Sequence, residues 1–305
     1  MIFNSDPTGG IEPMVVTPPT ALQIYTKKVL IACPWQKSVS PITSFVVTQL
    51  ADKRRTSMAL CFDDAFVSHS RNNCAAAFLK SELEWVLFVD DDMILPFGNA
   101  KWYRAYTGWD WYPEPFASFN AIDRLLSHGK TLIGGLYFGR HKHGPPVYNE
   151  GVRPAEAEYA RSGPHDEIKP TRWCGTGALM IHRSVFEDIE KKFPLLARGP
   201  DGKGGHWFSS SEHTAMDGIR RVRDMLSSGA MTAEKGLKAH EMLEGIVAEA
   251  RGKSALGCGE DVQFAIRAAE AGHQCHVDLG LVCGHVGHLC WGPRNTRRDE
   301  TQPVK

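Results

Sequence analysis

The sequence predicts an α/β protein built on a mostly parallel sheet with helices on both faces. Short apolar runs, typical of buried strands, alternate along the chain with longer segments of helical period. The first three runs end at a proline or at acidic residues, as expected where a strand stops. A length of 305 residues is enough for one large domain of this class or for two small ones.

The elements follow in a regular order. Proline ends the first apolar run, at 27–34, and 38–53 places its apolar residues on one helical face. The alanine-rich stretch 70–80 favours a helix between the runs at 57–62 and 85–89. Further strands are expected at 131–138 and 276–282, and 173–181 is expected to be a glycine turn that enters a strand. Helices are expected at 118–127 and 262–271, with a polar helical segment at 209–257.

Composition narrows the class of protein. The 35 basic residues equal the 35 acidic ones, so no net charge attracts nucleic acid or an anionic membrane. No apolar run approaches the ~20 residues that cross a bilayer, and residues 1–23 show no secretory signal. We therefore expect no membrane span and a cytoplasmic protein whose eight cysteines are reduced.

Acidic residues follow two neighbouring strands. Asp63 comes after the second strand, and Asp90, Asp91 and Asp92 come directly after the third. Because the carboxyl ends of parallel strands meet at one edge, these acids and Pro34 are expected in one crevice. Alternate residues of an extended chain face the same way, so Asp90 and Asp92 can bind one divalent cation, Mg²⁺ or Mn²⁺. A solvated acidic turn or a helix cap is the alternative.

Five motifs together resemble those of glycosyltransferases with the GT-A fold, such as family 2. Val-Leu-Phe-Val-Asp-Asp-Asp at 86–92 looks like their aspartate-x-aspartate motif, and Ser-Arg-Asn at 70–72 is similar to their arginine-asparagine signature. Gly-Thr-Gly at 175–177 resembles the glycine turn beside the donor sugar. Gly-Glu-Asp at 259–261 resembles the motif of the catalytic base, and His285 resembles the late histidine of the metal site.

The resemblance implies a single Rossmann-type domain over 27–292 that moves a sugar, of hexosyl type, from a nucleoside diphosphate to an acceptor hydroxyl with inversion. Its donor half would be 27–138 and its acceptor and catalytic half 139–292. Residues 1–26 would be an irregular arm and 293–305 a flexible tail. The chain lacks the glutamine/arginine-rich tryptophan motif of processive synthases, which argues against a membrane synthase.

The resemblance also implies a role for individual residues. Asp90, Asp92 and His285 would hold Mn²⁺ or Mg²⁺, which offsets the charge of the leaving diphosphate. Asp261 would be the catalytic base, kept ionised by the N–H groups of its helix start, and Glu260, also catalytic, would bind the acceptor. The donor would contact Pro34, Asp63, Arg71, Asn72, Asp90, Asp91, Gly175, Thr176 and Gly177.

The acceptor stays open between glycan, protein and modified DNA. The insertion 209–257 is either part of the acceptor side, where Arg220, Arg221 and Arg223 could contact an anion, or a solvated helical hairpin. The aromatic segment 102–116 is either a lid or acceptor platform or a packed loop.

Three other classes compete with this hypothesis. The first is a non-catalytic binding module for sugar nucleotides or nucleic acid on the same fold. The second is a zinc-dependent nucleic-acid binder using the Cys/His run 283–290, whose spacing differs from that of a closed zinc site. A nucleotidyltransferase usually begins with a glycine-rich phosphate loop, which residues 32–36 do not form.

Overall fold

The protein is described by a computed structural model covering residues 2–5, 11–14, 29–35, 39–51, 56–62, 67–110, 112–139, 147–149, 167–193, 205–208, 222–251 and 259–286. The strands are β1 (Ile2–Ser5), β2 (Ile11–Met14), β3 (Val29–Trp35), β4 (Thr56–Phe62), β5 (Trp85–Val89), β6 (Met93–Ile94), β7 (Leu132–Leu136), β8 (Tyr148–Asn149), β9 (Ile168–Thr171), β10 (Trp173–Cys174), β11 (Ala178–His182), β12 (Cys275–Val282) and β13 (Gly284–His285). The helices are α1 (Pro41–Leu50), α2 (Val67–Lys80), α3 (Ala100–Thr107), α4 (Glu114–Ala117), α5 (Ala121–Ser127), α6 (Arg183–Lys192), α7 (Ala233–Arg251) and α8 (Glu260–Glu270).

The centre of the fold is a seven-stranded sheet in the order β4-β3-β5-β11-β7-β12-β9. Strands β3, β4, β5, β7 and β12 run in one direction, while β9 and β11 run in the other. Helix α2 packs on β3 and β4, α5 packs on β7, β11 and β12, and α6 packs on β11. The prediction of an α/β fold with a mostly parallel sheet between helices is confirmed.

The strands form where apolar residues are continuous. Every residue of β5, β7 and β12 is buried except His276, which is half-buried, and a run without alternation is typical of a strand covered on both faces. The predicted strands lie within two residues of the observed bounds, and the strand expected after the glycine turn in 173–181 is β11. No helix in the described part of the chain is long and apolar enough to cross a membrane.

A buried ion pair fixes α5 to the sheet. Nη2 of Arg124 donates to Oδ1 of Asp278 at 2.8 Å, and Nε2 of His128 lies 2.9 Å from Oδ2. The N–H groups of Gly280 and Leu281 also donate to Oδ1, at the irregularity where β12 shifts register against β7. Asp278 is fully buried, so these donors replace water around its charge.

Several elements depart from the predictions. Strands β6, β9 and β13 were not predicted, because two to four residues carry little periodicity. Helices α3 and α6, of eight and ten residues, were not predicted either. The arm 1–26, predicted irregular, contains the antiparallel pair β1 and β2, where Pro13 is tolerated because a two-stranded ribbon has only edges. In the predicted insertion, 222–227 and α7 are helical, whereas 209–221, with Arg220 and Arg221, and 252–258 lie outside the described residues.

The aromatic segment divides into an interior part and a surface part. Four of its rings are almost fully buried: those of Tyr103, Trp109, Tyr112 and Phe116. The hydroxyl of Tyr103 donates to the main-chain oxygen of Val282 at 2.5 Å, and that of Tyr112 donates to Gly280 at 2.8 Å. These four rings fill the space beside β12 and form a packed segment, while Trp102 and Tyr106 lie at the surface.

Candidate functional site

Topology brings the predicted motifs to one edge of the sheet. Strands β5, β7 and β12 are oriented alike, so the residues that follow them, Asp90, Tyr137 and Cys283, lie at the same edge. Strand β11 runs the other way, so the glycine turn that precedes it lies at this edge too. The N–H of Asp90 donates to the carbonyl of Gly177 at 3.2 Å, which joins the two motifs directly.

The three aspartates form a turn and not an extended segment. Strand β5 ends at Val89, and the N–H of Met93 donates back to the carbonyl of Asp90 at 3.2 Å. The strand alternation from which a shared ligand was expected therefore does not extend to Asp90 and Asp92, and their binding of one cation stays a prediction. Asp90 faces Arg71, and Asp92 faces His285.

Arg71 joins two acidic motifs from α2. Its Nη2 donates to both oxygens of Asp90, at 2.8 and 3.0 Å, and its Nη1 donates to Oε1 of Glu260. Burial alone would lower the pKa of Arg71, but the carboxylates of Asp90 and Glu260 outweigh it and raise that pKa above its ordinary value. The guanidinium is thus a permanent buried cation at the sheet edge.

Asp92 and His285 approach each other through paired backbone. Strand β13 pairs with β6, and the N–H of Val286 donates to the carbonyl of Asp92 at 2.7 Å. The imidazole Nδ1 lies 2.9 Å from the carbonyl oxygen of Phe138, and Nε2 lies 3.3 Å from Oδ1 of Asp92. A carbonyl only accepts, so Nδ1 carries a proton, and in the neutral ring Nε2 faces the carboxylate with a lone pair. Two acceptors at this distance call for a cation between them or a proton on Nε2.

Asp261 and Glu260 open α8. Oδ1 of Asp261 accepts from the N–H of Val262 at 2.8 Å, which lowers its pKa, as does the charge of Arg71. Burial and the neighbouring charge of Glu260 act more strongly, so the pKa of Asp261 is raised. The N–H group of Val262 therefore favours the ionised form as expected but is outweighed by burial, and the role of Asp261 as the base stays a prediction.

Tyr137 is the site residue that the sequence motifs do not reveal. Its hydroxyl accepts from the N–H of Gly177 at 3.1 Å, and its ring meets that of His285 edge to face at 5.8 Å. A Cβ at Gly175 would overlap this hydroxyl and lie 2.7 Å from Cγ1 of Val147. Position 175 is therefore a glycine because the hydroxyl of Tyr137 occupies the space that a Cβ would need. The one available signal was position, since Tyr137 directly follows a strand of the parallel set.

Other predicted donor residues have internal roles. The side chain of Asn72 brackets the main chain of Phe208, accepting from its N–H at 2.8 Å and donating to its carbonyl at 3.2 Å. Pro34 is buried within β3, opposite Cys61 of β4. Asp91 is half-buried in the acidic turn, and its carbonyl accepts from Ser40. Asp63 lies outside the described residues.

Thr176 and Arg71 each have one polar side-chain atom that is fully buried. Oγ1 of Thr176 and Nε of Arg71 are buried, and neither has a hydrogen-bond partner within the described ranges. Such groups are costly unless a ligand or water meets them.

The charges of the acidic turn also act on Cys33 in β3. Burial, and then the carboxylates of Asp90, Asp91 and Asp92, raise the pKa of Cys33 to about 12. Cys33 in β3 therefore lies close to the acidic turn, as the convergence of strand ends requires.

The metal site stays a prediction, and two of its three expected ligands lie next to each other. Among the residues that the structure describes, no group of three or more His, Cys, Asp or Glu side chains is arranged to hold a metal ion. Asp92 and His285 are adjacent, whereas both oxygens of Asp90 are bound by Arg71. In the Cys/His run, Cys283 is buried with its thiol near the carbonyl of Leu281, and 287–290 lie outside the described residues.

Comparison with known proteins gives no family. No protein-family model matches the chain, and no curated protein matches it either.

Proposed function

We propose that this protein is a metal-dependent glycosyltransferase with a GT-A-like fold, moving a sugar from a nucleoside diphosphate to an acceptor hydroxyl with inversion. The observation that carries the proposal is the contact between Asp92 and His285, which the pairing of β6 with β13 brings together. Beside it lie the buried guanidinium of Arg71 and the carboxylate of Asp261, whose pKa is raised. The order of the five motifs and the mostly parallel sheet support it.

Asp92 and His285 fit Mn²⁺ or Mg²⁺ as two protein ligands. These cations take carboxylate or imidazole ligands together with water and substrate phosphates, so a complete protein cage is not required. A ligating histidine usually donates its other N–H to a carbonyl, as His285 does toward Phe138. A bound divalent cation would supply Lewis-acid stabilisation of the leaving diphosphate.

The remaining charges suit the same substrate. Arg71 offers a buried guanidinium that binds phosphate oxygens well, and Asp90 and Glu260 hold it in place before substrate arrives. Asp261, whose raised pKa makes it a better proton acceptor than an ordinary carboxylate, would take the proton of the acceptor hydroxyl. Attack would come from the side opposite the diphosphate, which inverts the anomeric carbon.

The test is thermal stabilisation by a panel of nucleoside diphosphates and their sugars, with and without Mn²⁺. Binding at ~100 times the dissociation constant adds about 2.7 kcal/mol of stability. We expect stabilisation that needs both nucleotide and cation, that is lost in Asp92→Asn and His285→Gln, and that persists in Asp91→Asn. Donor hydrolysis in the same panel then identifies the sugar.

Contrary outcomes separate the alternatives. Equal stabilisation with EDTA would remove the metal role. Nucleotide binding without hydrolysis or transfer for any donor would indicate a non-catalytic module. Zinc found in the purified protein after dialysis, with no response to Mn²⁺, would favour the zinc-binding class.

A further inference from the structure

Three aromatic rings stack at the surface between α1 and α3. Phe45 of α1 lies against Trp102 of α3 with ring centroids 4.6 Å apart, and Trp102 lies against Tyr106 at 3.7 Å. The interplanar angles are 23° and 22°, so the rings are nearly parallel. Phe97 contacts Phe45 and Trp102 with ring edges. We call Phe45, Trp102 and Tyr106 the aromatic ladder.

The ladder joins the core to the surface, because Trp102 is half-buried and packs against the core while the two end rings are exposed. Phe45 is 40% exposed and Tyr106 is 48% exposed, and they are the two exposed aromatic side chains in the described part of the chain. Both belong to one stack. Exposed apolar rings that cluster in this way are typical of interaction sites, since scattered ones need no partner.

The chemistry around the ladder selects a neutral ligand. Helix α1 contains no charged residue, and Ser44, Thr48 and Gln49 are exposed beside Phe45. On α3 the charged residues are Lys101, which is exposed, and Arg104, which is half-buried and donates its Nε to the carbonyl of Tyr112. An anionic polymer requires a row of cations, which the described residues of α1 and α3 do not form. A neutral sugar ring offers an apolar C–H face to an aromatic ring and hydroxyl groups to serine, threonine and glutamine side chains.

The ladder is continuous with the candidate site. Ser40, directly before α1, donates its N–H to the carbonyl of Asp91 at 2.9 Å. At the other side, Phe97 lies shortly after β6, whose Met93 pairs with His285. Helix α1 also packs against β6. A chain of sugar residues lying on the ladder would therefore extend toward the acidic turn.

We propose that the aromatic ladder is a stacking subsite for neutral sugar rings of the acceptor, which makes the acceptor a carbohydrate. The inference rests on the proposed function, because that function gives a carbohydrate a reason to lie beside the acidic turn. Phe45 and Tyr106 present the free outer faces of the stack, and Trp102 holds them at a fixed spacing.

The experiment is a calorimetric titration of the whole protein with neutral tetrasaccharides of glucose, mannose and N-acetylglucosamine, without nucleotide or divalent cation. A single-stranded oligodeoxynucleotide and dextran sulfate are titrated in parallel. We expect binding of at least one neutral tetrasaccharide, weakened about fivefold or more by Tyr106→Ala and by Phe45→Ala and largely retained by Tyr106→Trp. Leu237→Ala, at a residue 60% exposed on α7, is the matched control and should bind like wild type.

Several results would overturn the inference. They are the absence of binding to every tetrasaccharide, unchanged affinity in the two alanine variants, or binding of the oligodeoxynucleotide that depends on Tyr106. Failure of the subsite is distinguishable from failure of the glycosyltransferase proposal. If nucleotides with Mn²⁺ stabilise the protein but no tetrasaccharide binds, only the sugar subsite is contradicted. If a tetrasaccharide binds but no nucleotide stabilises the protein, only the proposed glycosyl transfer is contradicted.

Discussion

Arg71 binds both carboxylate oxygens of Asp90 through one nitrogen, Nη2, at 2.8 and 3.0 Å. The other terminal nitrogen is thereby directed to Glu260, at the start of a helix far along the chain. One guanidinium thus offsets the charges of acids from two motifs.

Replacing Arg71 by methionine should destabilise the fold. The guanidinium is 5% exposed, while the side chains of Asp90 and Glu260 are 26% and 22% exposed. The expected loss lies between those of exposed and buried pairs, roughly 1–3 kcal/mol, because the acids are left to repel one another. Urea unfolding of wild type and variant at pH 7 measures this difference. Arg223→Met, at an exposed ion pair, is the control and should be nearly neutral.

Asp261→Asn should raise stability and lower activity. The folded-state pKa of Asp261 is raised, so its favourable contribution is complete below the unfolded pKa of ~3.9 and is lost as pH rises through the folded pKa. At neutral pH the ionised group opposes folding, and Asp261→Asn should therefore raise the free energy of unfolding. Under the proposed function, turnover should fall by roughly 10²–10⁴-fold.

The free energy of unfolding and the turnover rate test two separate roles of Asp261. Glu234→Gln, at an exposed position of α7, should change neither stability nor turnover. An Asp261→Asn variant that is less stable than wild type at pH 7 would show that the carboxylate is needed for packing, and normal turnover would show that it is not the base.

Gly175→Ala should destabilise the glycine turn through Tyr137. The new methyl group would overlap the tyrosine hydroxyl, and overpacking of this kind costs about 1–3 kcal/mol. Gly177→Ala should cost less, because its Cβ would lie 3.0 Å from the ring of Tyr137. The measurement is a double-mutant cycle by urea unfolding with Tyr137→Ala, in which the second change should offset part of the first. Strict additivity would mean that Tyr137 does not dictate glycine at this position.

Asp278→Asn should be the most damaging change in the sheet. It leaves Arg124 buried without its counter-charge, an expected loss of about 3–5 kcal/mol. Burial would raise the pKa of Asp278, but hydrogen bonds from His128 and Arg124 prevail and lower it. Its contribution is therefore present above the unfolded pKa of ~3.9 and is lost as pH falls below it.

Urea unfolding over a pH series tests the role of Asp278. Wild type should lose stability between roughly pH 4 and pH 2, and Asp278→Asn should show a shallower decline. Asp224→Asn, at an exposed acid, should follow the wild-type curve. Parallel curves for wild type and Asp278→Asn would contradict the assignment.

Sequence patterns predicted the sheet well because its strands are continuous apolar runs, and the neighbourhood of Arg71, Asp90 and Asp261 followed from motif order. The separation of Asp90 from Asp92 could not be predicted, since it depends on a turn closed by Met93. Tyr137 was concealed within the apolar run 131–138, and its role depends on the antiparallel direction of β11. Asn72 was assigned to the donor, but the structure commits its amide to Phe208, a contact without local signal.

The pairing of β6 with β13 has a consequence for biosynthesis. Met93 leaves the ribosome early, whereas His285 is made after nearly all of the described chain. Domains acquire structure as they emerge, so β3, β4 and β5 can associate while the partner of Asp92 does not yet exist. A chain truncated before residue 284 would retain these three strands and Arg71 but could never juxtapose Asp92 with an imidazole. The proposed cation site can therefore assemble only after β13 has been synthesised and has paired with β6.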